Sequence, residues 1–283
     1  MWQRFAQQIK EILKWVITQF RSNPLGSLFT ILSLLSLIWI VWETDKAKNL
    51  GFINKTFWDW MELLIIPVVL AIGAFLFNRS ERKSEQRIAA ERFQEEVLRE
   101  YLDRMTELLL EKGLLTSDPE SEVRIAARAQ TLTTFRILDG KRKGVILKFL
   151  SDAKLITRGM PKVLLEGSDI SEADLTGADL YETNLHKTNM QEANLSHALL
   201  CKSWLVETDL SEANLREADL RGVNLSGANL SRADLYKALL ADAILLDADL
   251  TKANLSMANV TEDELNRAKS LKGAIMPNNK VHK

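Results

Sequence analysis

The sequence predicts two architectures in one chain: an α-helical first half held in a membrane, then a β-solenoid from residue 161 onward. Three observations carry this. Residues 25–42 and 57–77 are apolar runs of near-spanning length, residues 79–153 show apolar positions at helical spacing, and from Ile170 to Val260 an aliphatic residue or Met190 falls on every fifth position without a break. Whole-chain averages hide these shifts. With 37 Lys and Arg against 38 Asp and Glu in 283 residues, the net charge of -1 gives no global bias toward nucleic acid or an anionic surface. Twelve Gly and five Pro are too few for a long disordered region. The single Cys201 excludes an intrachain disulfide and a multi-cysteine metal site.

Taken in chain order, residues 1–22 come first. Trp2, Phe5, Ile9, Ile12, Leu13, Val16 and Phe20 recur at helical spacing, opposite Arg4, Gln7, Gln8, Lys10 and Lys14. This pattern predicts an amphipathic helix, either lying on the membrane surface or packed on the later helices. Residues 23–78 follow as a membrane hairpin. The run at 25–42, LGSLFTILSLLSLIWIVW, contains no charge and is long enough to cross most of a hydrocarbon core. The run at 57–77 carries Asp59 and Glu62 only near its start, and Pro67 kinks such a helix without forbidding it. Trp39, Trp42, Trp58 and Trp60 flank the connecting loop, where an interfacial aromatic belt belongs. A cleaved signal peptide fits poorly, because the leading charged region is long and no small-residue cleavage site follows Trp42.

Orientation follows from the basic flanks. Arg4, Lys10, Lys14 and Arg21 precede the first run, and Arg79, Arg82, Lys83 and Arg87 follow the second. Lys46, Lys48 and Lys55 in the loop are partly offset by Glu43 and Asp45, so the bias puts both termini in the cytoplasm. The expected partners therefore begin with membrane lipid, in a plasma or a thylakoid membrane.

Residues 79–160 read as a helical connector. Val97, Leu98, Tyr101, Leu102, Met105, Leu108 and Leu109 form a stripe at spacings of three and four. Helices from about Glu120 to Leu138 and Lys141 to Ala153 are its expected partners, with Asp118-Pro119 as a start signal and Asp139-Gly140 as a stop. A coiled coil between two chains explains the same stripe and keeps a homo-oligomer open. The cluster Arg136, Lys141, Arg142, Lys143 reads as a solvated face.

The strongest signal lies in residues 161–260. Nineteen pentads run in register; two residues before each aliphatic position sits Ala, Thr, Ser or Val, and one residue before it usually Asp or Asn, as in ADLTGADL at 173–180. Neither a 3.6-residue nor a two-residue period can bury such a stripe. A chain that turns a corner every five residues puts every Leu and Ala inside. After Val260, Thr261 and Glu264 have the spacing of a capping box, and Val260 and Leu265 that of a hydrophobic staple. A helix over about 262–271 is thus expected to close the last coil, within a cap and tail at 261–283.

The A(D/N)LXX pattern resembles the pentapeptide-repeat family over residues 163–260. The resemblance implies a right-handed quadrilateral β-helix with four pentads per coil, the small and aliphatic positions pointing inward and the Asp/Asn position outward. Nineteen pentads then make just under five coils, about 23 Å of stacked strands. The order of membrane hairpin, helical connector and solenoid resembles pentapeptide-repeat membrane proteins of cyanobacteria.

Four pentads break the Asp/Asn rule, with Leu199, Trp204, Leu239 and Ile244 in its place. At twenty residues per coil, Leu199 and Leu239 share one face two coils apart, as do Trp204 and Ile244. Four outward apolar side chains around one edge predict a protein-binding patch. Packing on the connector, on the tail or on a second solenoid is the bland alternative. The second functional class is a DNA-mimicking regulator of a topoisomerase-type enzyme, as some family members resemble duplex DNA. Residues 161–260 hold 16 acids and 8 bases, but seven of the acids occupy the motif position, and Lys187, Lys202, Arg216, Arg221, Arg232, Lys237 and Lys252 interrupt any anionic stripe. Direct nucleic-acid binding is not indicated.

Catalysis is not indicated either. His186, His197 and Cys201 fall on different faces, the repeated Asp residues are a structural ladder, and no glycine loop, metal-spaced cluster or nucleophile motif is present. No cofactor is expected. The sequence therefore reads as a non-enzymatic, membrane-anchored scaffold or accessory subunit that binds a protein through its solenoid.

Overall fold

The computed structural model describes the backbone of residues 57–158 and 161–283, with side chains from Gly73 onward, Leu76 excepted. The chain divides into Met1–Arg82 and Lys83–Lys283. The expected amphipathic helix at 1–22 and the first apolar run at 25–42 lie outside the described residues. The second run, 57–77, begins helix α1, Phe57–Leu110, which continues without interruption for 54 residues into the segment expected as the helical connector. Among the described residues, no helix is long and apolar enough to cross a membrane.

From Phe77 to Phe93 the side chains of α1 are exposed, as its Glu-, Arg- and Gln-rich sequence dictates. Beyond that the apolar stripe turns inward: Leu98, Tyr101 and Met105 are buried, and Val97, Leu102, Leu108 and Leu109 pack against the same core. They meet α2, Glu122–Ile137, and α3, Gly140–Asp152. The stripe that suggested a coiled coil is therefore covered within the chain. Tyr101 Oη lies 2.9 Å from Thr131 Oγ1, so its hydroxyl is satisfied where the ring is buried. Past the end of α1, Gly113 adopts φ +65°, and the Leu114 amide donates back to the Leu108 carbonyl at 3.0 Å.

Two details correct the sequence reading of this region. Asp139 does more than end α2, since its carboxylate accepts from the Arg142 amide at 3.0 Å and caps α3. Arg142 and Lys143 are buried, whereas Arg136 and Lys141 are exposed, so only half of the basic cluster is a solvated face. Arg142 pairs with Glu91, Glu95 and Asp139, and Lys143 with Asp169 at 3.5 Å.

The solenoid has four sides. Parallel bridges join each Asp/Asn position to the one twenty residues later, which defines coils of twenty residues. Side 1 carries Asp169, Asn189, Asp209, Asn229 and Asp249; side 2 Asp174, Asn194, Asn214, Asp234 and Asn254. Side 3 carries Asp179, Leu199, Asp219, Leu239 and Asn259; side 4 Asn184, Trp204, Asn224 and Ile244. The aliphatic positions and the small residues two before them fill the interior and are essentially inaccessible. At Thr183, Thr188, Ser203 and Thr208, which replace the small Ala, the hydroxyl donates to a nearby carbonyl, as Thr183 does to Leu180 at 2.8 Å and Ser203 to Leu200 at 2.7 Å, whereas the buried Ser168 hydroxyl has no such partner.

The Asp/Asn preference has a local cause. The side-chain oxygen at that position accepts the amide of the residue two further on, as Asp174 does from Thr176 and Asn224 from Ser226. These Asx bonds hold the turn at the corners that follow an Asp or Asn. On side 1 the two residue types alternate, and Asn189 and Asn229 donate down the ladder to Asp169 and Asp209 at 3.2 and 3.0 Å. Alternation thus replaces stacked carboxylates with amide-to-carboxylate bonds.

Both open ends are closed. α3 lies across the first coil: Asp174 N–H donates to Gly140 O at 3.0 Å, Ser151 Oγ to Asp179 O at 2.8 Å, and Lys148 Nζ to Thr176 O at 3.4 Å. A Cβ on Gly144 would sit 2.1 Å from the Asp174 carbonyl oxygen, so only glycine permits this approach. On side 4 the segment before the solenoid adds one antiparallel bridge, with Thr157 opposite Thr183 and Asn184 N–H bonded to Ile156 O at 2.7 Å. At the far end, α4 spans Glu262–Leu265, shorter than the expected 262–271. The ladder recaptures the chain: Lys269 N–H donates to Ala248 O, Ser270 pairs with Asp249 and Ile275 with Asn254. The tail then turns back, with Val281 antiparallel to Ile275.

Two predictions follow from this packing. Gly144→Ala forces α3 off the first coil and lowers the unfolding free energy by about 1–3 kcal/mol, read from urea denaturation of the full chain in detergent. An unchanged midpoint would mean that the helix does not press on the coil. The second concerns acid. Hydrogen bonds from Thr176, Arg221 and Thr251 hold the Asp174, Asp219 and Asp249 carboxyls below their ordinary range, Asp219 down to about 2. Depressed folded values contribute stability that is complete above the ordinary 3.8 and is lost as pH falls through the folded values. Stability should therefore fall between pH 3.8 and about 2. The triple Asp→Asn variant at these positions, which keeps the Asx bonds, should show a shallower fall in thermal unfolding over that window.

Candidate protein-binding site

Sides 3 and 4 meet at one corner of the solenoid, and the four exceptions to the Asp/Asn rule lie on them. The bridges place Leu199 and Leu239 on side 3, two coils apart, with Asp219 between them. They place Trp204 and Ile244 on side 4, with Asn224 between them. At all four positions the amide two residues on, at Cys201, Val206, Ala241 and Leu246, faces a hydrocarbon side chain in place of an Asx oxygen. Each exception therefore forgoes a turn-holding hydrogen bond, about 0.5–1.5 kcal/mol, and presents apolar surface to solvent.

The four are not equivalent. Leu199, Leu239 and Ile244 are 47%, 38% and 42% exposed. Trp204 is half-buried: the Arg158 guanidinium stacks 4.7 Å from its ring centroid, and Arg158 Nη1 donates to Lys202 O at 3.2 Å. Trp204 thus packs on the segment that precedes the solenoid. A fifth residue belongs to the surface. Leu246, 52% exposed, sits two residues after Ile244 in the same coil. Ser226, Val206 and His186 are its equivalents one, two and three coils below.

The result is two apolar bands, each running from side 3 round its corner with side 4, across side 4 and on to the corner with side 1. The upper runs through Leu239, Ala241, Ile244 and Leu246; the lower through Leu199, Cys201, Trp204 and Val206. Between them runs a polar coil in which Arg221 binds Asp219 through Nε and Nη2 at 2.8 and 2.7 Å.

Electrostatics differ along the solenoid. In the lower and middle coils, acids at the corners pair with bases one coil away: Lys187 with Glu166 and Glu207, Lys202 with Glu182, Arg232 with Glu212, and Lys237 with Glu217. His197 faces Glu217 at 3.6 Å, and His186 Nδ1 lies 2.9 Å from Val206 O. These two histidines and Cys201 sit at three different corners. Among the described residues, no group of three or more His, Cys, Asp or Glu is placed to hold a metal ion.

The cap borders the upper band. Thr261 accepts from the Glu264 amide, while Glu264 Oε2 accepts from Thr261 N–H at 2.7 Å, and Glu264 Oε1 accepts from Asp242 N–H at 2.7 Å. Val260 is half-buried against the core, and Leu265 is buried in it.

Restoring the motif residue separates surface from core. Leu239→Asn with Ile244→Asn regains two Asx bonds and removes exposed hydrocarbon, so chemical denaturation should show a variant at least as stable as the parent. A clear loss of stability would make these side chains part of the packed fold.

The family model of pentapeptide repeats matches the chain in eight copies, over residues 162–196, 193–232 and 228–262. None of the curated proteins matches it. Similar solved structures include a pentapeptide repeat protein from the cyanobacterium Cyanothece 51142, 33% identical, covering 32% of this chain and 62% of that one, with a TM-score of 0.31. Another, from the Arabidopsis thaliana thylakoid lumen, is 28% identical over 34% of this chain and 70% of its own, with a TM-score of 0.29. A third, from Nostoc PCC 7120, is 31% identical over 45% and 74%, with a TM-score of 0.20. The chain thus spans about three fifths of the Cyanothece protein, which it covers to 62%. On the repeat match and the twenty-residue coils together, residues 162–262 belong to the pentapeptide-repeat family.

Proposed function

We propose that this chain is a non-enzymatic scaffold or accessory subunit, anchored in a membrane by residues 23–78, that binds a protein through the corner between sides 3 and 4. The observation that carries the reading is the joint exposure of Leu239, Ile244 and Leu246 on a solenoid whose other outward positions are mostly polar. Exposed apolar surface that costs the fold hydrogen bonds is retained for contact with something else. Anchoring rests on the sequence of the two apolar runs and their tryptophan flanks, and the basic flanks put both termini in the cytoplasm.

The DNA-mimicking alternative has less support. A mimic needs a continuous anionic surface, whereas the corner acids of the lower and middle coils are largely paired with Lys, Arg or His, and sides 1 and 2 interleave Asp with Asn.

The test is affinity purification from native membranes in mild detergent, comparing the parent with the Leu239→Asn, Ile244→Asn, Leu246→Ser variant by mass spectrometry. The reading expects at least one protein retained by the parent and depleted tenfold or more with the variant. Identical partner sets would remove this corner from consideration. Full release of the chain from membranes by alkaline carbonate would overturn the anchor.

A further inference from the structure

Charge is distributed differently at the corner between sides 1 and 2. Its turn residues, from the first coil upward, are Glu172, Glu192, Glu212, Arg232 and Lys252, all exposed and all in the left-handed conformation. Lys272, next to the turn residue Gly273, continues the column, and its carbonyl accepts from the Lys252 amide at 2.9 Å. Three acids are thus followed by three bases along one ridge. The other three corners are built the opposite way. At no two successive turn positions do they carry like charge, and acid pairs with base one coil away, as Lys187 does with Glu207, Lys202 with Glu182 and Lys237 with Glu217.

On this ridge only the central pair is matched within the chain, with Arg232 Nη1 2.9 Å from Glu212 Oε1. Among the described residues, Glu172, Glu192, Lys252 and Lys272 make no ion pair. The lysines of α3 beside the first coil are engaged elsewhere: Lys143 with Asp169, Lys148 with the Thr176 carbonyl, and Lys141 near Asp174. Coils stack about 4.8 Å apart, so like charges sit one above another, an unfavourable arrangement in a single chain. The positions just before the turns hold Ser171, Gln191, Ser211, Ser231 and Thr251, none bulky and none charged. Nothing large therefore stands between the ridge and an approaching surface.

We infer that this ridge is a contact surface for a second copy of the chain, packed antiparallel about a twofold axis between Glu212 and Arg232. A twofold contact requires a self-complementary patch, and the order of charges supplies one. Glu172 faces the second copy's Lys272, Glu192 its Lys252 and Glu212 its Arg232, and each pair occurs twice. A parallel arrangement would set like against like at every level. Exposed ion pairs are individually weak and are screened by salt. The contact therefore depends on all the levels matching together, and it is lost at high ionic strength. It draws on neither the apolar bands of sides 3 and 4 nor the membrane anchor.

The experiment uses the purified full chain in detergent at low salt, with Ser211→Cys on the ridge or Ala241→Cys at the opposite corner, each in a Cys201→Ser background. The axis puts the two copies of position 211 one coil apart, so a short bis-maleimide should link two chains there and not through position 241. In about 1 M salt, where screening acts within about 3 Å, the yield should fall at least fivefold. Glu172→Lys with Glu192→Lys, and separately Lys252→Glu with Lys272→Glu, should each cut the yield by as much. Mixing these two variants should restore it, because every level then meets its opposite, and recovery also shows that both are folded. The fourfold exchange of all these charges in one chain keeps the ridge self-complementary and should link as the parent does. No linkage at 211, comparable linkage at 241, or a yield indifferent to salt or to the reversals overturns the inference. So does failure of both the mixture and the fourfold exchange to link.

Discussion

Everything after residue 161 depends on one conformation, the left-handed residue that turns each corner. It recurs every fifth position, at Glu172, Lys187, His197, Glu212, Lys237 and Lys252 among others, with φ between 52° and 61° for the non-glycine turns of the coils. An L-residue there costs about 1–2 kcal/mol, and glycine fills the position only at 167, 177, 222 and 227 within the coils. The structure offsets the cost locally. The Asx bond three residues before the turn residue holds the start of the corner wherever Asp or Asn fills that position, and the backbone bonds to the coils above and below fix the rest. Once the corner is set, the aliphatic and small positions have nowhere to go but inward. The core then consists of stacked rungs, each supported by its neighbours.

A solenoid of this kind propagates from coil to coil, so its ends matter more than its middle. The N-terminal end is closed by a helix brought to contact distance by Gly140 and Gly144, and α3 in turn is held by the salt-bridge cluster around Arg142 and by the Gln94 side chain. Gln94 both accepts the Asp139 amide and donates to the Ile137 carbonyl at 3.0 Å. One apolar core runs from Leu98 through α3 into the coils and on to Leu265. The helical connector is thus the first layer of the solenoid, not a spacer in front of it.

The sequence revealed this architecture unevenly, for physical reasons. A strict five-residue period excludes a helix and a flat strand, so the inward positions and the four exceptional ones were legible residue by residue, while the four sides came from the resemblance to the pentapeptide-repeat family. The Thr261–Glu264 box was legible because a helix start is a local event. Where the chain's course depends on distant partners, sequence reading failed. Helix α4 stops after four residues because the preceding coil offers Ala248 and Asp249 to the returning chain. Arg142 is buried because three carboxylates, two of them on α1, surround it. Trp204 is half-covered because Arg158 arrives from outside the repeats. Leu246 occupies a position that the repeat motif leaves unrestricted, two residues after Ile244, so its exposure breaks no pattern in the sequence.

What distinguishes this solenoid is that its apolar exceptions are concentrated on two adjacent sides and include its uppermost coil, beside an acidic cap. The most direct test of their purpose is hydroxyl-radical footprinting of the chain in native membranes against the purified chain in detergent. If the corner is occupied by a partner, Leu239, Ile244 and Leu246 are oxidised several-fold less in the membranes, while Met257, exposed at another corner, reacts equally in both. Equal oxidation of all four residues in the two preparations would contradict the account and leave the corner as unliganded surface.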